Sequence, residues 1–352
     1  MKTHERRRAS GAGVDGSEVV GARALREFLT GERNIYRRVF LVDVDAPAEA
    51  VIHAAGAHDA VLLPEGTASP ATSAALSRYS GRLEESGDEM LFGETAVELQ
   101  DYVAAGFVQL VGPTVVAVLD MPGWEAFLDD ARLARRTGVF PSALLDPRVV
   151  LAERSALERP RAIEIPNAIR VRADGAFTVG MRGEVVGHIV QTPDRLTEPF
   201  ARGARLGGAP SIEELTAPGP GRDATARYLR AIDLLRMLRV VNGVRVSGFG
   251  WSLIDDDRAD AEPSASDPFL LDTAEGFVLA DVDSRRRRAL SLLTAVVVEA
   301  TQTSSARELA VERIARRLTV SASDAGRLCE DAIGALGISF GISTEGAEAA
   351  RR

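Results

Sequence analysis

The chain has 352 residues, of which 45% are hydrophobic and 26% are charged, and its formal net charge is −9. This length predicts two or three domains, and the composition is typical of an ordinary globular protein. No stretch approaches the ~18 apolar residues that a membrane helix needs, so we expect no membrane partner. A net acidic chain is also poorly suited to nucleic acid, whose phosphates are bound by clustered Lys and Arg.

The chain begins with a basic segment that lacks the apolar stretch of a secretory signal. We therefore expect residues 1–20 to form a disordered arm. Cys329 is the only cysteine, so an intrachain disulfide is impossible and a cytoplasmic location is expected.

Strands and helices alternate over residues 35–155, which predicts an α/β layer domain. The predicted strands are Arg38–Asp45, Asp59–Leu63, Phe107–Val111 and Thr114–Leu119. The predicted helices are Pro47–Ala57, Ser69–Tyr79 and Gly123–Arg136.

The pattern changes to short strands and turns over residues 160–222, which predicts a β-rich segment followed by a linker. The predicted strands are Ala168–Val171, Ala176–Met181 and Glu184–Val190, and the linker is the Gly/Pro-rich stretch Leu206–Arg222. Thr225–Val241 then has the apolar stripe of an amphipathic helix. The acidic, Pro/Ser/Ala-rich stretch Asp255–Asp267 predicts a flexible loop.

The last quarter of the chain carries the clearest pattern. Two apolar strands, FLLDT and FVLADV, are joined by a Gly-containing turn from Phe269 onward, and three helical patterns follow. We predict that residues 223–345 form a helix and a winged-helix-like unit. The fold class expected for the whole chain is therefore α/β (α+β overall), with an N-terminal α/β layer domain, a central β-rich segment and this C-terminal unit.

Few residues suggest catalysis. Asp43 and Asp45 end a strand as D-x-D, the pattern of a metal site in some phosphotransferases and glycosyltransferases. The supporting motifs of those families are missing, so we favour a capping and a solvated role for the two carboxylates. His53 and His58 lack further ligands at zinc spacing, and Cys329 falls on an apolar helix face. We expect no enzyme activity, no cofactor and no metal.

The C-terminal unit has one dense charge cluster, Arg285–Arg288, which we predict to open the first of the three helices. The cluster is either a solvated face, or it binds a phosphate backbone or an acidic peptide. The third helix starts as Ser-Ala-Ser-Asp, whereas a DNA-reading helix presents Arg, Lys, Asn or Gln there. The charges therefore favour a peptide.

Short motifs in this unit carry a family resemblance: Arg307-Glu308-Leu309-Ala310, Thr319-Val320 and Ala335-Leu336-Gly337-Ile338. Over residues 245–345 the chain resembles the peptide chaperones of the pyrroloquinoline-quinone pathway and the wider set of precursor-peptide recognition elements of ribosomal natural-product (RiPP) biosynthesis. With its long α/β N-terminal region it is most similar to the recognition proteins of daptide biosynthesis.

The resemblance implies a recognition subunit that binds the leader of a precursor peptide by strand addition, at the edge formed near Gly276–Asp283, and presents it to modification enzymes such as an oxidative decarboxylase. The peptide-binding residues implied are Phe277, Val278, Leu279, Ala280, Asp281, Val282, Arg285, Arg286, Arg287, Asp324, Arg327, Leu328 and Asp331. Two alternatives stay open: a winged-helix transcription regulator, and a metal-dependent phosphoryl- or glycosyl-transfer enzyme that uses Asp43 and Asp45.

Overall fold

The structure is a computed structural model that describes residues 16–159, 167–196, 220–239 and 243–343, and it shows a mixed α/β fold. The helices are α1 (Gly16–Thr30), α2 (Ala48–Ala54), α3 (Met121–Thr137), α4 (Ser142–Leu145), α5 (Arg154–Glu158), α6 (Pro220–Leu238), α7 (Leu292–Gln302), α8 (Arg307–Leu318) and α9 (Ala322–Leu336). The strands are β1 (Val39–Val42), β2 (Ala60–Pro64), β3 (Ala75–Gly81), β4 (Glu89–Phe92), β5 (Thr95–Asp101), β6 (Thr114–Ala117), β7 (Val149–Leu151), β8 (Ala168–Val171), β9 (Ala176–Val179), β10 (Val185–His188), β11 (Arg245–Ser247), β12 (Gly250–Trp251), β13 (Ala261–Glu262), β14 (Phe269–Thr273), β15 (Gly276–Ala280), β16 (Arg287–Leu290) and β17 (Ile342–Ser343). Among these elements no helix has the length and apolar character to cross a membrane.

The larger sheet has ten strands in the order β10-β9-β8-β1-β2-β3-β4-β5-β6-β7. Strand β1 lies between β2 and β8 and is parallel to both. Its four residues are all buried because both faces of the sheet are covered. Val39 and Leu41 pack with α1, and Phe40 and Val42 pack with α2. This is why the sequence reads here as a continuous apolar run rather than an alternating one.

The central segment belongs to this same sheet. β8, β9 and β10 form the expected antiparallel meander, but β8 also pairs with β1, with Ala168 opposite Val39. Residues 168–188 therefore extend the N-terminal sheet and are not a separate unit. Of the expected arm, residues 1–15 lie outside the described residues, and from Gly16 the chain is helical. The linker expected over Leu206–Arg222 also lies outside the described residues up to position 219, and α6 begins at Pro220.

Two predicted elements of the α/β domain are wrong. The helix expected over Ser69–Tyr79 is instead a loop followed by β3, which pairs parallel with β2. The strand is favoured because it buries Tyr79: the hydroxyl of this residue donates to the Val42 carbonyl at 2.7 Å, and its ring packs in the core beneath α1. The strand expected over Phe107–Val111 is an irregular loop, and the Phe107 side chain is 87% exposed.

The second sheet has five strands in the order β12-β11-β14-β15-β16. Its alternate side chains face two different cores, as the period of two requires. Phe269, Leu271 and Ala280 pack with side chains of α3 and α6, whereas Leu270 and Leu279 pack with α7, α8 and α9. The C-terminal unit is thus joined to the rest of the molecule through one whole face of its sheet.

The acidic stretch Asp255–Asp267, expected to be a flexible loop, is held by side-chain contacts. Asp256 pairs with the buried Arg313 at 3.0 Å, and the Asp260 carboxylate accepts from the Ser305 N–H at 2.8 Å. Part of the stretch, β13, also pairs with β17. Its carboxylates therefore anchor α8 and are not simply solvated.

Candidate peptide-binding site

The arginine cluster lies on a strand, not at the start of a helix as predicted. Arg287 and Arg288 belong to β16, and α7 begins only at Leu292. The N-cap of α7 is Ser291, whose hydroxyl accepts from the Thr294 N–H at 3.1 Å. Because cations at a helix N-terminus oppose the helix dipole, it is more favourable for the arginine cluster to end before the N-cap residue Ser291.

The strand expected to offer an open edge, β15, is an interior strand. It pairs antiparallel with β14 on one side and with β16 on the other. A peptide therefore cannot add along Phe277–Ala280 without displacing β16. Phe277 stacks on Trp251 with ring centroids 6.5 Å apart, and Val278, Ala280 and Val282 pack in the core around α6. These predicted contacts are structural.

The open edge of the second sheet is β16. The opposite edge strand, β12, is closed by α3, since an added Cβ at Gly250 would lie 2.3 Å from the carbonyl carbon of Thr137. No described strand pairs with the outer side of β16. An unpaired strand edge is a template for the backbone of another chain.

The register shows which backbone groups this edge offers. Asp281 N–H donates to the Arg286 carbonyl at 2.9 Å, which makes residues 281 and 286 a hydrogen-bonded pair. Hydrogen-bonded and non-hydrogen-bonded pairs alternate along an antiparallel ladder. Arg288 and Leu290, opposite Leu279 and Phe277, therefore bond to β15, whereas Arg287 and Ala289 direct their N–H and C=O groups outward. An added strand would bond to Arg287 and Ala289.

A cavity of about 230 Å³ lies at the start of this edge, between β16 and the end of α9. It is lined by Pro268, Leu279, Asp281, Ser284, Arg286, Arg288, Ala335, Leu336 and Gly337. The Arg288 guanidinium crosses it and donates to the Ala335 carbonyl. The cavity thus combines an apolar floor with two arginines, a surface suited to alternating apolar and acidic side chains.

The charges around the edge are unevenly paired. Arg287 donates to the Met237 carbonyl at 3.1 Å, whereas Arg285 and Arg286 form no ion pair within the described ranges. Partial burial raises the pKa of Asp281, but hydrogen bonds from Ser284 outweigh it and hold that pKa below its usual range. Asp281 is therefore an anchored anion, and Arg286 remains available for an acidic partner.

The predicted contacts on the third helix lie away from this cavity. Asp324, in the first turn of α9, binds its own cap Ser321 and Arg327. Leu328 packs in the helical core, and Asp331 is exposed. It is the C-terminal end of α9 that lines the cavity, at residues 335–337. Of the predicted residues, only Leu279, Asp281 and Arg286 line it, while Arg285 and Arg287 flank them.

The predicted peptide-binding residues did not include Arg288, Ala289 or the end of α9. The signal for Arg288 and Ala289 was present in Ser291-Leu-Leu-Thr294, a Ser three residues before Thr at the start of an apolar helix. If Ser291 is taken as the N-cap, the helix begins at Leu292, and residues 285–290 can be predicted as a third strand after β14 and β15.

The carboxylates of the D-x-D pair are separated by their surroundings. Asp43 accepts from the Arg170 guanidinium at 2.8 and 3.1 Å, and burial raises its pKa although Arg170 opposes this. Asp45 is exposed, with a φ of 64°. In the described part of the chain, no group of three or more His, Cys, Asp or Glu side chains is placed to hold a metal ion.

Comparisons of the chain with protein-family models, with curated proteins and with solved structures found no match.

Proposed function

We propose that this chain is a non-catalytic recognition protein of RiPP biosynthesis. It binds the leader of a ribosomally made precursor peptide as an added strand on β16 and presents that peptide to modification enzymes such as an oxidative decarboxylase, in a pathway of the daptide type. The observation that carries the proposal is the open edge of β16, where Arg287 and Ala289 direct their backbone groups outward beside the end of α9. Backbone bonds supply affinity in this mode, and pockets for alternate side chains supply specificity.

The cavity beside the edge suggests the composition of the leader. Arg286 is exposed and lacks an ion-pair partner within the described ranges, and Arg288 is held only by a carbonyl. Leu279 and Leu336 supply apolar surface next to them. We therefore expect an acidic side chain and an apolar side chain at alternate positions of the bound peptide. The one cysteine, Cys329, is buried, which fits the reducing cytoplasm in which such a complex would assemble.

A winged-helix DNA-binding protein is the second candidate. The observation that favours it is the same exposed Arg285–Arg288 stretch, because a basic hairpin can lie along a phosphate backbone. The third helix opposes it. Its first turn presents Ser321, Ser323 and Asp324, whereas a reading helix presents Arg, Lys, Asn or Gln there.

The test uses Ala289, one of the two residues of β16 whose backbone N–H and C=O groups point outward. Ala289→Pro removes an N–H that bonds to none of the described strands, so the fold should tolerate it, as edge strands tolerate proline. Ala289→Val keeps the N–H and is the matched control. Labelled leader segments from short open reading frames adjacent to the gene, and a duplex DNA, serve as probes in fluorescence anisotropy.

We expect the proline variant to weaken leader binding about tenfold, because one backbone hydrogen bond is lost and the ring obstructs the added strand. The valine variant should bind like wild type. Arg286→Glu should weaken binding in low salt more than Arg285→Glu, since only Arg286 lines the cavity, and the difference should shrink as salt rises. Equal leader affinity of the proline and valine variants, or tighter binding of duplex DNA than of any leader, would contradict the proposal.

A further inference from the structure

The N-terminal region contains a second cavity, of about 380 Å³, which is independent of the proposed peptide site. It lies between the end of β5, helix α3 and the loop that leads into α4. Its walls include Tyr102, Ala105, Val116, Phe140 and Leu144, each at most 9% exposed. The size and apolar lining are those of a small-ligand pocket.

Helix α3 places one carboxylate in this apolar wall. Ala126, Asp130 and Leu133 are spaced i, i+4 and i+7, so they share one helix face, and all three line the cavity. The neighbouring face, with Phe127 and Ala131, is buried in the core. Asp130 is therefore the charged member of an otherwise apolar surface.

Asp130 has no cationic partner in the part of the chain that the structure describes. Its Oδ2 atom accepts from the Tyr102 hydroxyl at 2.8 Å, and its other oxygen has no hydrogen-bond partner among residues 16–159, 167–196, 220–239 and 243–343. The nearest arginines in sequence are engaged elsewhere, since Arg132 pairs with Asp129 and Arg135 pairs with Glu262. Burial raises the pKa of Tyr102 well above its usual range, so its hydroxyl stays a donor that fixes the carboxylate.

An apolar cavity with one fixed, half-buried, unpaired carboxylate selects by charge as well as by shape. A neutral apolar ligand would leave the Asp130 charge poorly solvated, and an anion would be repelled. A ligand with a cation on an apolar group matches both the carboxylate and the apolar lining, because the cation replaces the water lost from Asp130 and the apolar group fills the cavity.

We propose that this cavity is a binding site for an apolar group that carries an ammonium or guanidinium ion. That chemistry has two sources, a small aliphatic or aromatic amine and a Lys or Arg side chain next to an apolar residue of a peptide. None of the residues that line it belongs to β14–β16 or α7–α9, so the proposal stands or falls apart from the peptide-recognition proposal.

The test is an NMR titration of the full-length protein at pH 7 and constant ionic strength. The probes are hexylammonium, hexan-1-ol and hexanoate, which share a six-carbon chain and differ in charge, and acetyl-Phe-Lys-amide represents the peptide source. The variants are Asp130→Asn, which keeps the shape and removes the charge, and Ala126→Leu, which fills the cavity.

We expect hexylammonium to shift the amide signals of Tyr102, Ala105 and Leu144 saturably, with affinity about tenfold above that of hexanol and with hexanoate weaker still. Asp130→Asn should lower the affinity for hexylammonium about tenfold and leave the affinity for hexanol unchanged, and Ala126→Leu should abolish binding of both. If the dipeptide binds more tightly than hexylammonium, a partner protein is the source, and if only the amine binds, a small molecule is. Absence of saturable shifts, equal affinity for hexylammonium and hexanol, or no effect of Asp130→Asn overturns the proposal.

Discussion

Replacing Arg313 with Met should strongly destabilise the C-terminal unit. The Arg313 side chain is 1% exposed and its guanidinium is saturated with acceptors. Two bonds reach Asp256 at 3.2 and 3.0 Å, and others reach the Thr303 carbonyl at 3.1 Å and the Ser304 hydroxyl at 2.9 Å. Methionine fills a similar volume but leaves the carboxylate and the carbonyls at the end of α7 unpaired. Removing one partner of a buried ion pair costs about 3–5 kcal/mol.

The assay is equilibrium unfolding of the full chain in urea, followed by the fluorescence of its two tryptophans, of which Trp251 stacks on Phe277 within this unit. Arg317→Met is the matched control, because Arg317 lies on the same helix, is exposed and should change stability by no more than about 0.5 kcal/mol. If Arg313→Met costs less than about 1 kcal/mol, the network contributes little and the buried guanidinium is not what holds α8 to the Asp255–Asp267 stretch.

Two further predictions concern buried titratable groups. Burial raises the pKa of Glu153 to about 7 in the folded state, compared with 4.5 in the unfolded chain, so the folded state keeps a proton that the unfolded state loses. The free energy of unfolding should therefore fall by about 2–3 kcal/mol as pH rises from 4.5 to 7. This pH dependence should vanish in Glu153→Gln, and an unchanged slope of the melting temperature against pH in that variant would exclude Glu153 as its source. Cys329 is 0% exposed, and burial raises its pKa, so native protein should resist a thiol reagent and react fully in denaturant; rapid labelling of the native protein would show that α9 opens.

The parts of the fold that sequence predicted well are those in which local pattern and burial agree. β1 is a continuous apolar run because both sheet faces are covered, and α3 has Asp120 at its N-cap and Gly138 at its C-terminal end. The meander of β8 to β10 followed from its turns. Its place beside β1 did not, because parallel pairing between distant segments leaves no local signal.

The errors arose where tertiary contacts override local preference. Residues 69–79 have helix-compatible spacing, but β3 forms because pairing with β2 and packing in the core beneath α1 stabilise a strand. Arg285–Arg288 looked like the start of a helix because the apolar pattern of α7 follows directly. That one error placed the open edge of the second sheet at β15, whereas the edge strand in the structure is β16.

If a peptide adds as a strand to β16, amide hydrogen exchange should follow a specific pattern. In the free protein the N–H groups of Arg288 and Leu290 should exchange slowly, because they bond to β15, and those of Arg287 and Ala289 should exchange fast. Residue-resolved exchange by NMR, with and without a saturating leader peptide, measures this directly. Strand addition should slow amide exchange at Arg287 and Ala289 and leave exchange at Arg288 and Leu290 unchanged. A leader that binds while Arg287 and Ala289 stay fast would contradict it.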